Sequence, residues 1–160
     1  MRQPVEELIE LYQNNLFAVA FNVCKNAEDA EDVIQDVFIQ YHTGRKEFES
    51  ETHIKCWLIR ATINKSKNIV KSFWKRNKTP LEDYMETLSF EREADMNLFE
   101  SVMKLPEKYR VVIHLFYFED YSTREIAGIL RLGESNVKAR LMRGRQMLKD
   151  MLREEWDYDE

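Results

Sequence analysis

Between Tyr121 and Lys149 the chain carries seven Lys or Arg against two Glu, within a protein whose formal net charge is −5. Positive charge concentrated in this way suits phosphate, which Lys and Arg neutralise with release of counterions. Arg124, Arg140 and Arg143 are of the type that grips a phosphate backbone and fixes register without reading sequence. Lys138 can donate to guanine, and Ala139 with Met142 can touch a thymine methyl, so these three are candidate readers of base edges. No Gly-rich phosphate loop, paired-carboxylate constellation or nucleophile motif accompanies them. The chemistry expected is recognition, and the chain is not read as an enzyme.

Two short helices separated by a tight turn would position these residues. Ser122 followed by Glu125 forms a capping box, with Tyr121 and Ile126 at the staple positions, which predicts a helix start there. Ile126, Ala127, Ile129 and Leu130 give this helix an apolar face, and small Ala127 permits a close crossing. A second helix is predicted with Ser135 as its N-cap, turning Val137, Leu141, Gly144 and Leu148 inward. The opposite arc carries Ser135, Ala139, Met142 and Gln146, flanked by Lys138, Asn136 and Arg143. This is the geometry of a helix-turn-helix offering its second helix to a major groove. A solvated helical hairpin of no such function has the same pattern.

A second cationic stretch runs from Thr52 to Lys78, with eight Lys or Arg and no acid. Leu58, Thr62, Ile69 and Phe73, widened by Ile59, Ile63 and Val70, form one helical face; Arg60, Asn64, Lys67, Asn68, Lys71 and Lys75 form the other. Trp57, Phe73 and Trp74 lie within this basic region, where rings can stack on unpaired bases or serve as core. The loop before it, around Gly44 to Glu51, is polar with Phe48 alone in it. Such a break in pattern marks a mobile or functional segment.

Upstream, Val5, Leu8, Ile9, Tyr12, Leu16, Val19, Ala20 and Val23 recur at helical spacing and predict a core helix. Asn26 then caps a helix whose stripe Ala30, Val33, Val37 and Tyr41 faces inward. Its outer face holds Asp29, Asp32, Gln35 and Asp36. Acids near a helix N-terminus are favourable and need no partner, but here they persist beyond the first turn. From Leu81 to Glu100 the chain has seven acids and one Arg, so a linker over 79–97 is expected between helical domains at 1–78 and 98–155. In the second of these, Pro106 opens a helix whose Tyr109, Val112, Ile113, Phe116 and Tyr117 would pack beneath the two short helices, and REEWDYDE would fray. Four Gly and three Pro among 160 residues favour an all-α fold. Cys24 and Cys56 lack metal-ligand spacing and read as buried thiols, so neither metal nor cofactor is expected. No apolar run reaches a membrane span and MRQPVEELIELY has no signal pattern, which predicts a cytoplasmic protein with no membrane insertion of its own.

The order of these parts resembles a bacterial RNA polymerase sigma factor of the extracytoplasmic-function group, the minimal two-domain members of the primary sigma family. DAEDVIQDVF resembles the helix that binds core polymerase, and WLIRATINKSKN the helix facing the minus-ten promoter element. LPEKYRVVIHLFYFEDYSTREIA with SNVKARLMRGR resembles the reader of the minus-thirty-five element. The resemblance implies core RNA polymerase and promoter DNA as partners, with an anti-sigma factor as a possible third. By the same resemblance Asp29, Asp32, Gln35 and Asp36 meet the polymerase. Phe48 and Ser50 of the loop, with Arg60, Asn64, Lys67, Asn68 and Lys71, hold the opened minus-ten strand. Arg124, Ser135, Asn136, Lys138, Ala139, Arg140, Met142 and Arg143 bind the upstream element. Asn68 stands where many members have Asp, and Arg131 where Gly is frequent. Two rivals explain less: a free-standing helix-turn-helix regulator leaves the acidic helix idle, and a protein-binding adaptor leaves both basic arcs idle.

Overall fold

The computed structural model describes residues 1–72, 79–83, 85 and 88–159, with the side chains of 155–159 outside the description. All regular structure among these residues is helical, in seven α-helices and one short 3-10 turn, Leu81–Asp83. The chain divides into two compact units, Met1–Ser89 and Phe90–Glu160.

Three helices pack mutually in the first unit: α1 (Val5–Cys24), α2 (Ala27–Thr43) and α3 (Glu51–Ser72). Leu8, Leu16, Val19, Ala20 and Val23 of α1 are buried, against Ala30, Val33, Val37 and Tyr41 of α2 and Ile54, Leu58, Ile59 and Ile63 of α3. Apolar residues one turn apart lie on one face, so each helix presents a stripe and the three stripes close a common core. Thr62 is one of the polar members of this core, with Asn22 and Ser66, and its hydroxyl donates to the Leu58 carbonyl at 2.8 Å. Lys25 in the left-handed conformation, φ 52°, ends α1. The Asn26 side chain then accepts from the Asp29 amide at 2.9 Å and starts α2. Ile69 and Val70 are half-buried, while Phe73, Trp74 and Lys75 lie outside the described residues. Cys24 is buried and Cys56 half-buried, and neither is in a disulfide.

The second unit comprises α4 (Glu93–Val102), α5 (Glu107–Tyr117), α6 (Thr123–Leu130) and α7 (Glu134–Asp159). α5 touches each of the other three. Val111, Val112, Ile113, His114 and Leu115 are all buried, a run that only a helix enclosed by neighbours can bury on successive positions. Gly144 of α7 lies so close to α5 that a Cβ there would stand 2.4 Å from Ile113 Cδ1. Arg110 is buried as well; its guanidinium donates to the Leu105 carbonyl at 2.9 Å, and burial pulls its pKa below the usual arginine value.

Several expectations need correction. The acidic stretch 79–97 is shared between the units: the Thr79 amide donates to the Lys25 carbonyl at 2.8 Å and its hydroxyl accepts from the Ala27 amide at 3.1 Å. On the other side Phe90 packs on Phe99 and Phe118, with centroids 5.3 and 6.2 Å away, and α4 begins at Glu93, before Leu98. Tyr117 does not pack beneath α6 and α7; it is exposed, and its hydroxyl accepts from Arg145 at 2.6 Å. α7 starts at Glu134, so Gly133 rather than Ser135 stands at its cap, where the Gly133 carbonyl accepts from the Val137 amide at 3.1 Å. The REEWDYDE segment continues α7 as far as Asp159.

Candidate nucleic-acid and protein interfaces

α6 and α7 are set at their turn by local chemistry. The Ser122 side chain accepts from the Glu125 amide at 3.1 Å while Glu125 accepts from the Ser122 amide at 3.0 Å, completing the capping box. At the far end Arg131 takes φ 56°, the left-handed conformation that Gly most easily adopts, and the Leu132 amide closes back on the Ala127 carbonyl at 3.0 Å. The Thr123 hydroxyl then donates to Glu134 Oε1 at 3.1 Å, tying the start of α6 to the start of α7. Although α7 starts two residues earlier than expected, Val137, Leu141, Gly144 and Leu148 still turn inward and are buried.

The outer arc of α7 is therefore open to solvent. Ser135, Asn136, Lys138, Ala139, Met142 and Arg143 are exposed, Arg140 is half-buried, and Arg124 of α6 is exposed beside them in sequence order. Met142 retains 69% of its surface and so offers an apolar side chain within the polar arc. Lys138 Nζ lies 3.6 Å from Glu134, and Arg140 Nε donates to Asn136 Oδ1 at 3.1 Å, so two of the cations are oriented by residues one turn earlier. A helix of about 10–12 Å diameter fits a groove of about 12 Å.

On α3 the polar arc also faces out: Asn64, Asn68 and Lys71 are exposed, and Arg60 and Lys67 are half-buried. The loop 44–50 ahead of it differs from expectation. Phe48 is 4% exposed, its ring 5.7 Å from Tyr41, 5.9 Å from Trp57 and 5.1 Å from His53. It anchors the loop to the first unit, which corrects its assignment as a strand-holding side chain. Trp57 is half-buried in the same cluster. Ser50 is exposed but its hydroxyl accepts from the His53 amide at 3.1 Å, capping α3. What the loop presents outward is Arg45, Lys46, Glu47, Glu49, Ser50 and its backbone.

Sequence reasoning missed what holds the other side of this loop. Arg2 donates from Nη1 to the Lys46 carbonyl at 2.5 Å and from Nη2 to the Tyr41 carbonyl, and its guanidinium lies 4.4 Å over the Tyr41 ring. The Gln3 backbone exchanges hydrogen bonds with the Tyr41 hydroxyl at 2.9 and 2.7 Å, and the Phe48 amide donates to the Met1 carbonyl at 3.1 Å. The Met1 ammonium beside Glu47 holds that carboxyl below its ordinary value. No local pattern announces these contacts, because the partners are some forty residues apart.

The acidic face of α2 is partly as expected. Asp32, Gln35 and Asp36 are exposed, along with Glu28 and Glu31. Asp29 is 4% exposed and so does not belong to the outer face. It sits one turn before Val33, at the edge of the inward stripe, where the helix N-terminus packs. Next to the acids an apolar groove lies between α1 and α2, lined by Ile9, Gln13, Ile34, Gln35, Phe38 and Ile39. Among the described residues no group of three or more His, Cys, Asp or Glu is arranged to hold a metal, and no helix is long and apolar enough to cross a membrane.

Comparison with known proteins gives two family matches, Sigma-70 region 2 over residues 8–78 and Sigma-70, region 4 over residues 95–148, which together span more than half of the chain. The chain is 26% identical over 172 aligned residues to the ECF RNA polymerase sigma factor SigW of Bacillus subtilis, covering 92% of this chain and 88% of that protein. It is 25% identical to the ECF RNA polymerase sigma factor SigM of Mycobacterium tuberculosis, covering 94% of this chain and 78% of that one. Among solved structures it matches the sigma factor RpoE in complex with the anti-sigma factor NepR from Bartonella quintana, with TM-score 0.72 at 19% identity, over 92% of this chain and 96% of that one. CnrH, solved with the cytosolic domain of CnrY, matches with TM-score 0.64 at 24% identity, over 92% and 86% of the two chains. At these identities the structural likeness is one of fold.

Proposed function

The chain belongs to the sigma-70 family of RNA polymerase sigma factors, and from that premise we propose that it is a member of the extracytoplasmic-function group in which α2 binds core polymerase, α3 and its preceding loop hold the opened minus-ten strand, and α6 with α7 form a helix-turn-helix that reads the upstream element. The sigma-70 family replaces the primary sigma family expected from the motifs. One observation carries the assignment of roles: a single chain exposes an acidic helix face within the region 2 match and a basic helix arc within each of the two matches.

Asp32, Gln35 and Asp36 form the polymerase-facing set, without Asp29. Asn64, Lys67, Asn68 and Lys71, with Arg60 at their edge, track phosphates of separated strands, and Ser50 with the loop backbone faces the bases. Lys138, Ala139 and Met142 read base edges in a major groove, while Arg124, Arg140, Arg143, Ser135 and Asn136 position the helix on the backbone. The two domains are taken to coincide with the two compact units, Met1–Ser89 and Phe90–Glu160, in place of 1–78 and 98–155 with a linker between. The chain supplies recognition and the polymerase supplies catalysis, in the cytoplasm where the polymerase works. Because one fold relative was solved with an anti-sigma factor and another with the cytosolic domain of CnrY, an anti-sigma partner is proposed here too.

Run-off transcription over a genomic promoter library tests the reading. Core polymerase with this chain should start from a restricted promoter set that core alone ignores. No added starts, or sequence-specific DNA binding by the chain without core, would instead favour a free-standing regulator.

A further inference from the structure

Among the described residues the loop 44–50 makes helical hydrogen bonds only at its two ends, from the Gly44 amide to the Gln40 carbonyl and from the Ile54 amide to the Ser50 carbonyl, so the shape between them is imposed from outside. On the α3 side the Glu49 amide donates to His53 Nδ1 at 3.0 Å and Ser50 caps the helix. On the opposite side the imposing residue is Arg2. Its two terminal nitrogens reach carbonyls at the end of α2 and in the middle of the loop, Tyr41 and Lys46, while the guanidinium plane covers the Tyr41 ring and lies 5.8 Å from the Phe48 ring. Tyr41 and Phe48 are both buried, so the cation is placed over an immobile aromatic platform.

We propose that Arg2 is a positioning residue that fixes the loop between α2 and α3 in the shape that selects an unpaired promoter base. This rests on the reading of the loop as part of the minus-ten contact. Base selection by backbone groups and short side chains requires them to be held to about half an ångström, and a loop pinned at both ends meets that demand. Arg2 does not itself face the strand, because its guanidinium is committed to two carbonyls and two rings. Only Arg can do this: a planar fork serves two acceptors and stacks at once, whereas the Lys ammonium is a point charge on a flexible stem. The Gln3 backbone, paired with the Tyr41 hydroxyl, keeps the strap in register.

The test uses holoenzyme assembled from core polymerase and the full chain, on templates pre-mismatched across the minus-ten segment, with each non-template base varied in turn. For Arg2→Ala, preference between the best and worst base should fall by about tenfold, the size of one lost base contact, at one or two adjacent positions. Affinity for core and preference at the upstream element should not move. Arg2→Lys should behave like Arg2→Ala. Uniform weakening at every position, unchanged preference, or full recovery by Lys overturns the proposal. A second variant, with one Gly inserted between Glu49 and Ser50 so that backbone and side chains of the loop both move, separates the role of the loop from that of Arg2. If it leaves base preference intact, the loop reading itself falls; if it changes preference while Arg2→Ala does not, the role of Arg2 alone falls.

Discussion

His114 is 2% exposed, stacked on Phe118 with centroids 5.0 Å apart and edge-on to Phe99 at 5.9 Å, and neither ring nitrogen finds a hydrogen-bond partner among the described residues. Burial pushes its pKa down to about 4 from an ordinary 6.5. The native state therefore excludes a proton that the unfolded chain binds between these values. Its contribution is complete above pH 6.5 and is lost as pH falls towards 4, by about 3 kcal/mol across that window. Urea midpoints at about pH 7 and about pH 4.5 should show this loss in the native protein, and His114→Phe should flatten it while carboxylate effects persist. A slope unchanged by His114→Phe would mean that the imidazole is not the group responsible. Residues like this show where sequence reasoning stops. Its burial follows from enclosure of α5 on several sides, which no helical period records. Phe48 is a similar case, since its partners Tyr41 and Trp57 become neighbours only once three helices have packed. Asp29, by contrast, was legible: one turn before Val33 is the edge of the inward stripe, and its acidic neighbours drew it wrongly into the outer face.

At the level of the element, α7 shows how a face is kept true by one small residue. Gly144→Ala brings a gain in helix propensity of about 1 kcal/mol but forces a methyl to 2.4 Å from Ile113 Cδ1, in a core where Ile113 is fully buried. Overpacking of this kind costs about 1 to 3 kcal/mol, so the net effect should be destabilising. Adding Ile113→Val, which removes the clashing Cδ1, should recover part of the loss. A double-mutant cycle by urea unfolding that gave strict additivity would refute the contact. On α2 the corresponding prediction separates surface from fold. Asp32→Lys with Asp36→Lys should change stability by no more than about 0.5 kcal/mol, both being exposed, yet abolish assembly with core polymerase in a pull-down. Asp29→Lys should instead destabilise the first unit. Retained core affinity in the double reversal would remove α2 from the interface. The helices and their inward stripes could be read from the chain because burial on a helix repeats with its period. The start of α7 could not. It depends on Arg131 accepting a left-handed conformation and on Thr123 reaching Glu134, both settled by the turn rather than by the stripe.

Across the whole molecule, charge is segregated by segment of the chain. The net value of −5 combines an acidic α2 face and an acidic stretch from Leu81 to Glu100 with two cationic arcs. Each of the two arcs should then act at its own step. Lys138→Ala and Met142→Ala on α7 should change which upstream sequence is preferred, by about 1 to 3 kcal/mol for a lost base contact. Arg143→Ala should weaken all promoters alike and lower the salt slope by roughly one unit, as for a lost phosphate contact. A selection experiment over randomised upstream elements distinguishes these outcomes. The α3 arc is argued differently, because Asn64, Asn68 and Lys71 line one exposed side of a helix with Lys67 half-buried among them, and its two lysines are point charges on flexible stems. Cations so arranged track a backbone, and they matter most when strands must be held apart. Lys67→Ala with Lys71→Ala should therefore slow open-complex formation on duplex promoters and have much less effect on a template already mismatched across the minus-ten segment, since a pre-opened template omits the step they assist. Permanganate footprinting reads both templates directly. Normal melting of duplex by the double variant would return the α3 arc to the status of a solvated face, and an equal loss on both templates would place these lysines in strand binding after opening instead of in opening itself.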